Sequence, residues 1–213
     1  MPKKRLNRKK TVQRTLRIFC EGEKTEPNYL REYIRYNRDN HLASVVSVEK
    51  CSKNTPVQLV DAAIAAKNSG KSVKGDEFWV VYDREAVAKY DRALHAKAWQ
   101  TAKDNDINIA LSNVCFEFWI LLHLVDSSAA YSSFDDLKNR SPLLRELSTN
   151  YAIDYEKSSA TLYEALKDQV TVAMERADRI NQHGLGAAGH QDKPFDVNPY
   201  TDVPELLRAI VNF

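Results

Sequence analysis

EFWVVYD, residues 77–83, decides the architecture of this chain. Four strongly apolar residues followed by Tyr82 and Asp83 read as a strand covered on both faces. Working outward, TLRIFC (15–20) is a second β-branched, apolar strand candidate, and ASVVSVE (43–49) a third. Between these strands the pattern turns helical. Pro27 sits near the start of a helix through YLREYIRYN (29–37). NTPVQLVDAAIAAKN (54–68) carries a Thr cap, a proline at the first helical position, and Val57, Val60 and Ile64 at helical spacing. Gly70 and Gly75 punctuate the connection to 77–83. Downstream, 87–104 reads as a helix, INIALS (107–112) as a short strand and VCFEFWILLHLV (114–125) as a helix. Strand and helix alternating four times predicts an open, mainly parallel α/β sheet flanked by helices. Right-handed crossovers then bring the strand ends to one side, where such sheets bind ligands.

The later half changes character. FDDLKNRSPLLRELST (134–149) predicts two short helices separated at Pro142. Residues 158–184 read as one long helix closed by Gly184, with Leu162, Leu166, Val170, Ala173 and Ala177 as its packing stripe. NPYTDVPELLRAIVNF (198–213) reads as a loop and a capped final helix. The sequence contains no internal repeat and no zinc-ligand spacing.

The 213 residues suit one sizeable core with a helical extension. A hydrophobic content of 43% and a charged content of 28% fit a globular chain rather than a disordered one. The apolar run 114–125 is interrupted by Glu117 and His123 and is too short to span a membrane. No signal-peptide pattern opens the chain. The three cysteines include no CxxC pair, so a disulfide framework is not expected and a cytoplasmic setting is. Cys20 and Cys115, in apolar company, are expected to be buried thiols. Residues 1–10 hold six of the 31 Lys and Arg and no acid, which leaves 25 basic against 29 acidic residues in the body. Residues 1–12 are therefore a basic tail, suited to phosphate-backbone contact or equally to a solvated or subunit-docking role.

Acids recur where strands end: Glu21 and Glu23 after 15–20, Asp83 and Glu85 after 77–82, and Glu117 shortly after 107–112. In Asp83–Arg84–Glu85 the i, i+2 spacing directs both carboxylates to one side if the backbone stays extended. Carboxylates this close repel one another unless a cation lies among them, and Mg²⁺ or Mn²⁺ is the hard cation that oxygen ligands suit. Such an ion assists phosphoryl chemistry. Helix caps and ordinary surface acids are the competing explanation for the same residues. Gly22 allows either close approach or a positive φ between the first two acids. Glu117 stands among apolar neighbours, where an ionised carboxylate is costly unless paired or metal-bound; an exposed helix face is the other reading. His123 shares a helix face with Trp119 and Phe116, as a core histidine or as a contact to a scissile phosphate. Lys24 and Lys157 are candidate phosphate contacts or surface lysines. Tyr29, Tyr33 and Tyr36 form a stripe expected mostly to pack. Neither GxxxxGK[ST] nor GxGxxG occurs.

Five blocks, CEGEKTEPNYL (20–30), VVYDRE (80–85), SNVCFEFWILLHL (112–124), DYEK (154–157) and NPYTDVPELLRAI (198–210), together resemble the RloB-like family. The resemblance implies a Toprim-like fold: a metal-binding core over 13–130, preceded by the tail 1–12 and followed by a helical extension over 131–213. It matches Glu21 to the first metal-binding acid, and Asp83 with Glu85 to a DxD pair whose second aspartate is here a glutamate. Glu117 and His123 match an acid and a histidine of less settled duty, so the implied catalytic set is Glu21, Asp83, Glu85, Glu117 and His123, with the four acids as ligands of Mg²⁺ or Mn²⁺. The family resemblance further implies an anti-phage effector, a nuclease acting on DNA or RNA (tRNA included), controlled by an AAA-type ATPase partner. The competing readings are a non-catalytic regulatory subunit of that ATPase complex, a primase-like phosphoryl-transfer enzyme, and a nucleic-acid-binding module. Homo-oligomerisation is compatible with all of them.

Overall fold

The computed structural model of the chain describes residues 13–37, 45–155 and 161–213. The basic segment 1–12 and Lys157 lie outside these residues. Four strands are parallel: β1 (Thr15–Cys20), β2 (Val45–Val48), β3 (Glu77–Asp83) and β4 (Asn108–Asn113). The fifth, β5 (Tyr200–Thr201), runs antiparallel beside β4, and the order across the sheet is β2-β1-β3-β4-β5. With helices on both faces this is the expected mainly parallel α/β arrangement, consistent with a Toprim-like architecture.

The strands divide their side chains between two cores. Leu16, Ile18, Cys20, Trp79, Val81 and Ala110 enter one; Phe19, Phe78, Val80, Tyr82 and Leu111 enter the other. Alternate residues thus meet apolar surroundings on both faces, which is why β3 reads as an unbroken apolar run. The second core is closed by α2 (Pro56–Lys67) and α3 (Arg92–Asp104). Thr55 accepts a bond from the Gln58 N–H at the start of α2, and Asp91 one from the Leu94 N–H at the start of α3. That aspartate cap sets the start of α3 five residues later than the expected 87, and residues 86–90 form a turn over the sheet edge.

The first core is larger. It is covered by α1 (Thr25–Asn37), α4 (Phe116–Leu124), α5 (Phe134–Arg140), α6 (Leu143–Tyr151), α7 (Leu162–Leu166), α8 (Val170–Ala187) and α9 (Val203–Asn212). Every residue of α4 from Phe116 to His123 is buried, the signature of a helix enclosed on all sides. Among the described residues the expected single helix over 158–184 is two helices joined by a 3₁₀ turn at Lys167–Gln169. It continues past Gly184 to Ala187, since one glycine weakens a helix without ending it. The stripe Leu162, Leu166, Val170, Ala173 and Ala177 is buried throughout. The segment 131–213 also does more than add helices. It supplies β5, and Asn181 binds Thr201 on both sides, donating to its carbonyl at 2.8 Å and accepting from its N–H at 3.1 Å. The asparagine amide thereby pairs an edge that would otherwise stand open. Among the described residues no helix is long and apolar enough to cross a membrane.

Cys20 and Cys115 are buried free thiols, and Cys51 is partly exposed. Tyr29 and Tyr33 are buried and meet Tyr163 edge-on at 5.2 and 5.9 Å, while Tyr36 stays exposed at the end of the stripe.

Candidate metal centre

Three strand ends deliver the site. Beyond β1, the Glu21 N–H continues the ladder by donating to the Val81 carbonyl at 2.9 Å. Its side chain then turns across the sheet, and Oε2 accepts the Asp83 N–H at 3.2 Å. Two acids separated by 62 residues are therefore adjacent at the C-terminal edge. Beyond β4, α4 starts at Phe116, so Glu117 falls in its first turn, where the helix N-terminus favours an anion. Glu117 is 2% exposed, and Oε1 accepts a hydrogen bond from Tyr155 Oη at 2.7 Å. The exposed-face alternative for Glu117 is thereby excluded.

Glu21, Glu23, Glu26, Asp83, Glu85 and Glu117 all line one cavity of about 380 Å³, together with Lys24, Lys89, Tyr90 and Asn54. Asp83 and Glu85 reach it by a different route from the one their spacing suggested. β3 ends at Asp83, and Glu85 has φ of 58°, so the backbone is not extended through the pair. The left-handed turn is held by N–H bonds from Arg84 to Ser112 O (2.8 Å) and from Glu85 to Val114 O (2.9 Å). For a glutamate this conformation costs on the order of 1 kcal/mol, a strain retained here at the edge of a polar cavity.

Glu26 is the acid that sequence reading passed over. It lies in the first turn of α1, where an acid is expected for local reasons alone, and it is 6% exposed. Gly22 makes room for it: a Cβ at that position would stand 2.1 Å from Glu26 Oε2. Close approach, not a positive φ, is what the glycine provides. Tyr90 and Tyr155 were also missed. Tyr90 Oη donates to the Asn54 carbonyl at 2.5 Å and lies 3.3 Å from Glu21 Oε1, tying the loop before α2 to the site. Tyr155 belongs to the DYEK block, whose signal is the tyrosine as well as the lysine.

The crowding is visible in proton affinity. Burial, partly opposed by the Asp83 N–H and aided by Glu85, pushes the Glu21 carboxyl up to about 7. Asp83 is pushed well above the ordinary range by burial, then by Glu26, Glu117, Glu21 and Glu85. The cavity is thus an acidic recess, rich in carboxylate oxygens, that a hard cation would relieve. Among the described residues, no three His, Cys, Asp or Glu side chains form a ready-made metal cage.

His123 lies outside this cavity, in the core position that the sequence reading offered beside the phosphate-contact one. It does not line the cavity and is 2% exposed in the core. Its Nδ1 lies 3.0 Å from the Trp119 carbonyl, which can only accept, so Nδ1 carries the proton. Nε2 is then the acceptor for Tyr29 Oη at 2.9 Å. Burial holds its pKa down at about 4. Because the folded value is depressed below the free value of about 6.5, the neutral histidine contributes stability that is present above that pH and is lost as pH falls through 4. The contribution is on the order of 3 kcal/mol. Denaturant unfolding at pH 7 and pH 4 is expected to show a gap between wild type and His123→Gln that narrows with acid; a pH-independent gap contradicts this. Lys24 stands exposed at the cavity rim.

A mainly parallel sheet with acids converging at its C-terminal edge defines the Toprim-like class of α/β architecture. The family model described as RloB-like protein matches residues 16–210, and the chain belongs to that family. No curated protein and no solved structure matches the chain.

Proposed function

We propose that this protein is a nuclease that hydrolyses phosphodiester bonds with Mg²⁺ or Mn²⁺ held by Glu21, Asp83 and Glu85, with Glu117 and Glu26 within the same recess. The observation that carries the reading is the meeting of acids from three strand ends in one cavity. The donor set fits: every ligand offered is a carboxylate oxygen, and Mg²⁺ binds through one or two carboxylates while keeping several waters, so no closed cage is required. When bound, the ion polarises a phosphoryl oxygen and lowers the pKa of an attacking water.

The chain's own groups account for the rest. The Asp83 N–H holds Oε2 of Glu21, with Tyr90 Oη 3.3 Å from Oε1, so that its carboxylate enters the site already oriented. Tyr155 does the same for Glu117, which lies in the same recess and suits completing the ligand set or positioning the attacking water. Lys24 at the rim suits a phosphate contact, as do Lys157 and the basic segment 1–12 by charge alone. Membership of the RloB-like family supports an effector role in anti-phage defence under an AAA-type ATPase partner.

The test is a cleavage screen on supercoiled DNA, linear DNA and total tRNA with Mn²⁺, with and without the ATPase. Cleavage abolished by EDTA is expected. No cleavage of any substrate, even with the triggered ATPase, would leave a non-catalytic regulatory subunit as the better reading. Gly22→Ala supplies an independent check. The new methyl displaces only the end of the flexible Glu26 side chain, so unfolding free energy is expected to change by less than about 1 kcal/mol. Mn²⁺ affinity, read by titration calorimetry, is expected to fall about tenfold.

A further inference from the structure

Lys89 belongs to the turn between β3 and α3, and it lines the acidic cavity. The turn is closed by N–H bonds from Lys89 and Tyr90 to the Ala86 carbonyl, at 2.8 and 3.2 Å. The left-handed Glu85 reverses the chain ahead of it, and Lys89 Nζ thereby comes back to lie 2.5 Å from Glu85 Oε1. The ammonium also stands 5.2 Å from the centre of the Tyr90 ring. Tyr90 in turn donates to the Asn54 carbonyl and lies 3.3 Å from Glu21 Oε1, so the turn is held at the edge of the recess.

Six carboxylates and two lysines line the cavity. Lys24 is exposed at the rim, whereas Lys89 is bonded to an acid that the proposed function assigns to the metal. An ion on the other oxygen of Glu85 would lie within a few ångströms of the Lys89 ammonium, and their repulsion favours release of the Lys89 contact. The Lys89 side chain is about half exposed (53%) and has the freedom to swing outward.

Resting on the metal-dependent reading above, we infer that Lys89 is the resident counter-cation of this site. In the metal-free protein it neutralises part of the acidic recess through Glu85, and the divalent ion displaces it on binding. Lys89 is then a determinant of metal affinity, acting as a competitor built into the turn. An ordinary surface ion pair at i, i+4 has no such effect, because its loss would leave metal binding untouched.

The experiment is Mn²⁺ titration calorimetry and thermal unfolding on the full chain, as wild type, Lys89→Met and Lys89→Arg. Lys89→Met keeps the stem and removes the charge. It is expected to bind Mn²⁺ about tenfold more tightly than wild type and, metal-free, to melt about 2–4 °C lower. Lys89→Arg, which keeps the charge, is expected to bind within about threefold of wild type. Wild type that binds while Lys89→Met binds equally or more weakly overturns this inference alone. Wild type that binds no Mn²⁺ overturns the metal reading and this inference with it.

Discussion

Asp83→Asn is expected to fold, to melt higher than wild type in the absence of metal, and to lose cleavage by at least about a thousandfold. The loss follows from the role of the ion: several kcal/mol of transition-state charge stabilisation corresponds to about three powers of ten in rate. The gain in stability comes from the same crowding. Burial and then Glu26, Glu117, Glu21 and Glu85 hold the Asp83 carboxyl well above its ordinary proton affinity. A carboxyl raised in the folded state contributes stability that is fully present below its unfolded pKa near 4 and is lost as pH rises through the folded value. That loss grows as pH rises above the unfolded value, so it is greater at pH 8 than at pH 5, while asparagine does not titrate. The variant is therefore expected to melt higher than wild type, with a larger gain at pH 8 than at pH 5. Differential scanning calorimetry in EDTA at both values, beside a cleavage assay in Mn²⁺, measures both halves. A variant that melts lower, or that cleaves normally, contradicts the assignment.

The second large effect belongs to the core. Trp119 is fully buried in α4, with its ring edge-on to His123 at 4.6 Å and to Tyr29 at 6.3 Å. Trp119→Ala removes the largest fully buried side chain and leaves a space that the enclosing helices cannot fill. A cost of about 3–5 kcal/mol is expected. That is a large share of the roughly 5–15 kcal/mol that stabilises a typical domain. Melting is expected to fall by on the order of 10 °C. Trp119→Phe, which retains a ring, is expected to lose less than half as much. Urea unfolding resolves the two, and a loss below about 1 kcal/mol for the alanine variant would show that α4 is not the pillar its burial indicates.

Much of the fold was legible because its determinants are local and redundant. The apolar run of β3, the Thr55–Pro56 start of α2 and the turn at Pro142 each announce themselves within a few residues. The errors have the same origin. A helix start at 87 overlooks Asp91, a favoured N-cap residue type whose side chain accepts from the Leu94 N–H. The strand β5 is two residues long and owes its place to pairing with Ser112 and Asn113, which no local pattern encodes.

The site was legible where acids follow strands and illegible where geometry depends on contacts remote in sequence. Glu21 and Asp83 were expected to meet, and a 3.2 Å bond joins the Glu21 carboxylate to the Asp83 N–H. Glu26 lies in the first turn of α1, where an acid serves the helix locally, and the space left by Gly22 explains its entry into the recess. For His123 the sequence left a core and a phosphate-contact reading open, and its two nitrogens are engaged by Trp119 and Tyr29 away from the cavity. Glu85 reaches the recess through a left-handed turn that its sequence, without glycine or asparagine at that position, does not advertise.

The most direct test of the metal centre is a crystal of the protein soaked in MnCl₂ and measured at the manganese absorption edge. The expected result is an anomalous peak within about 2.2 Å of carboxylate oxygens from Glu21 and Asp83 or Glu85. A well-ordered recess without a peak, in crystals shown to contain the ion in their solvent, would contradict the account.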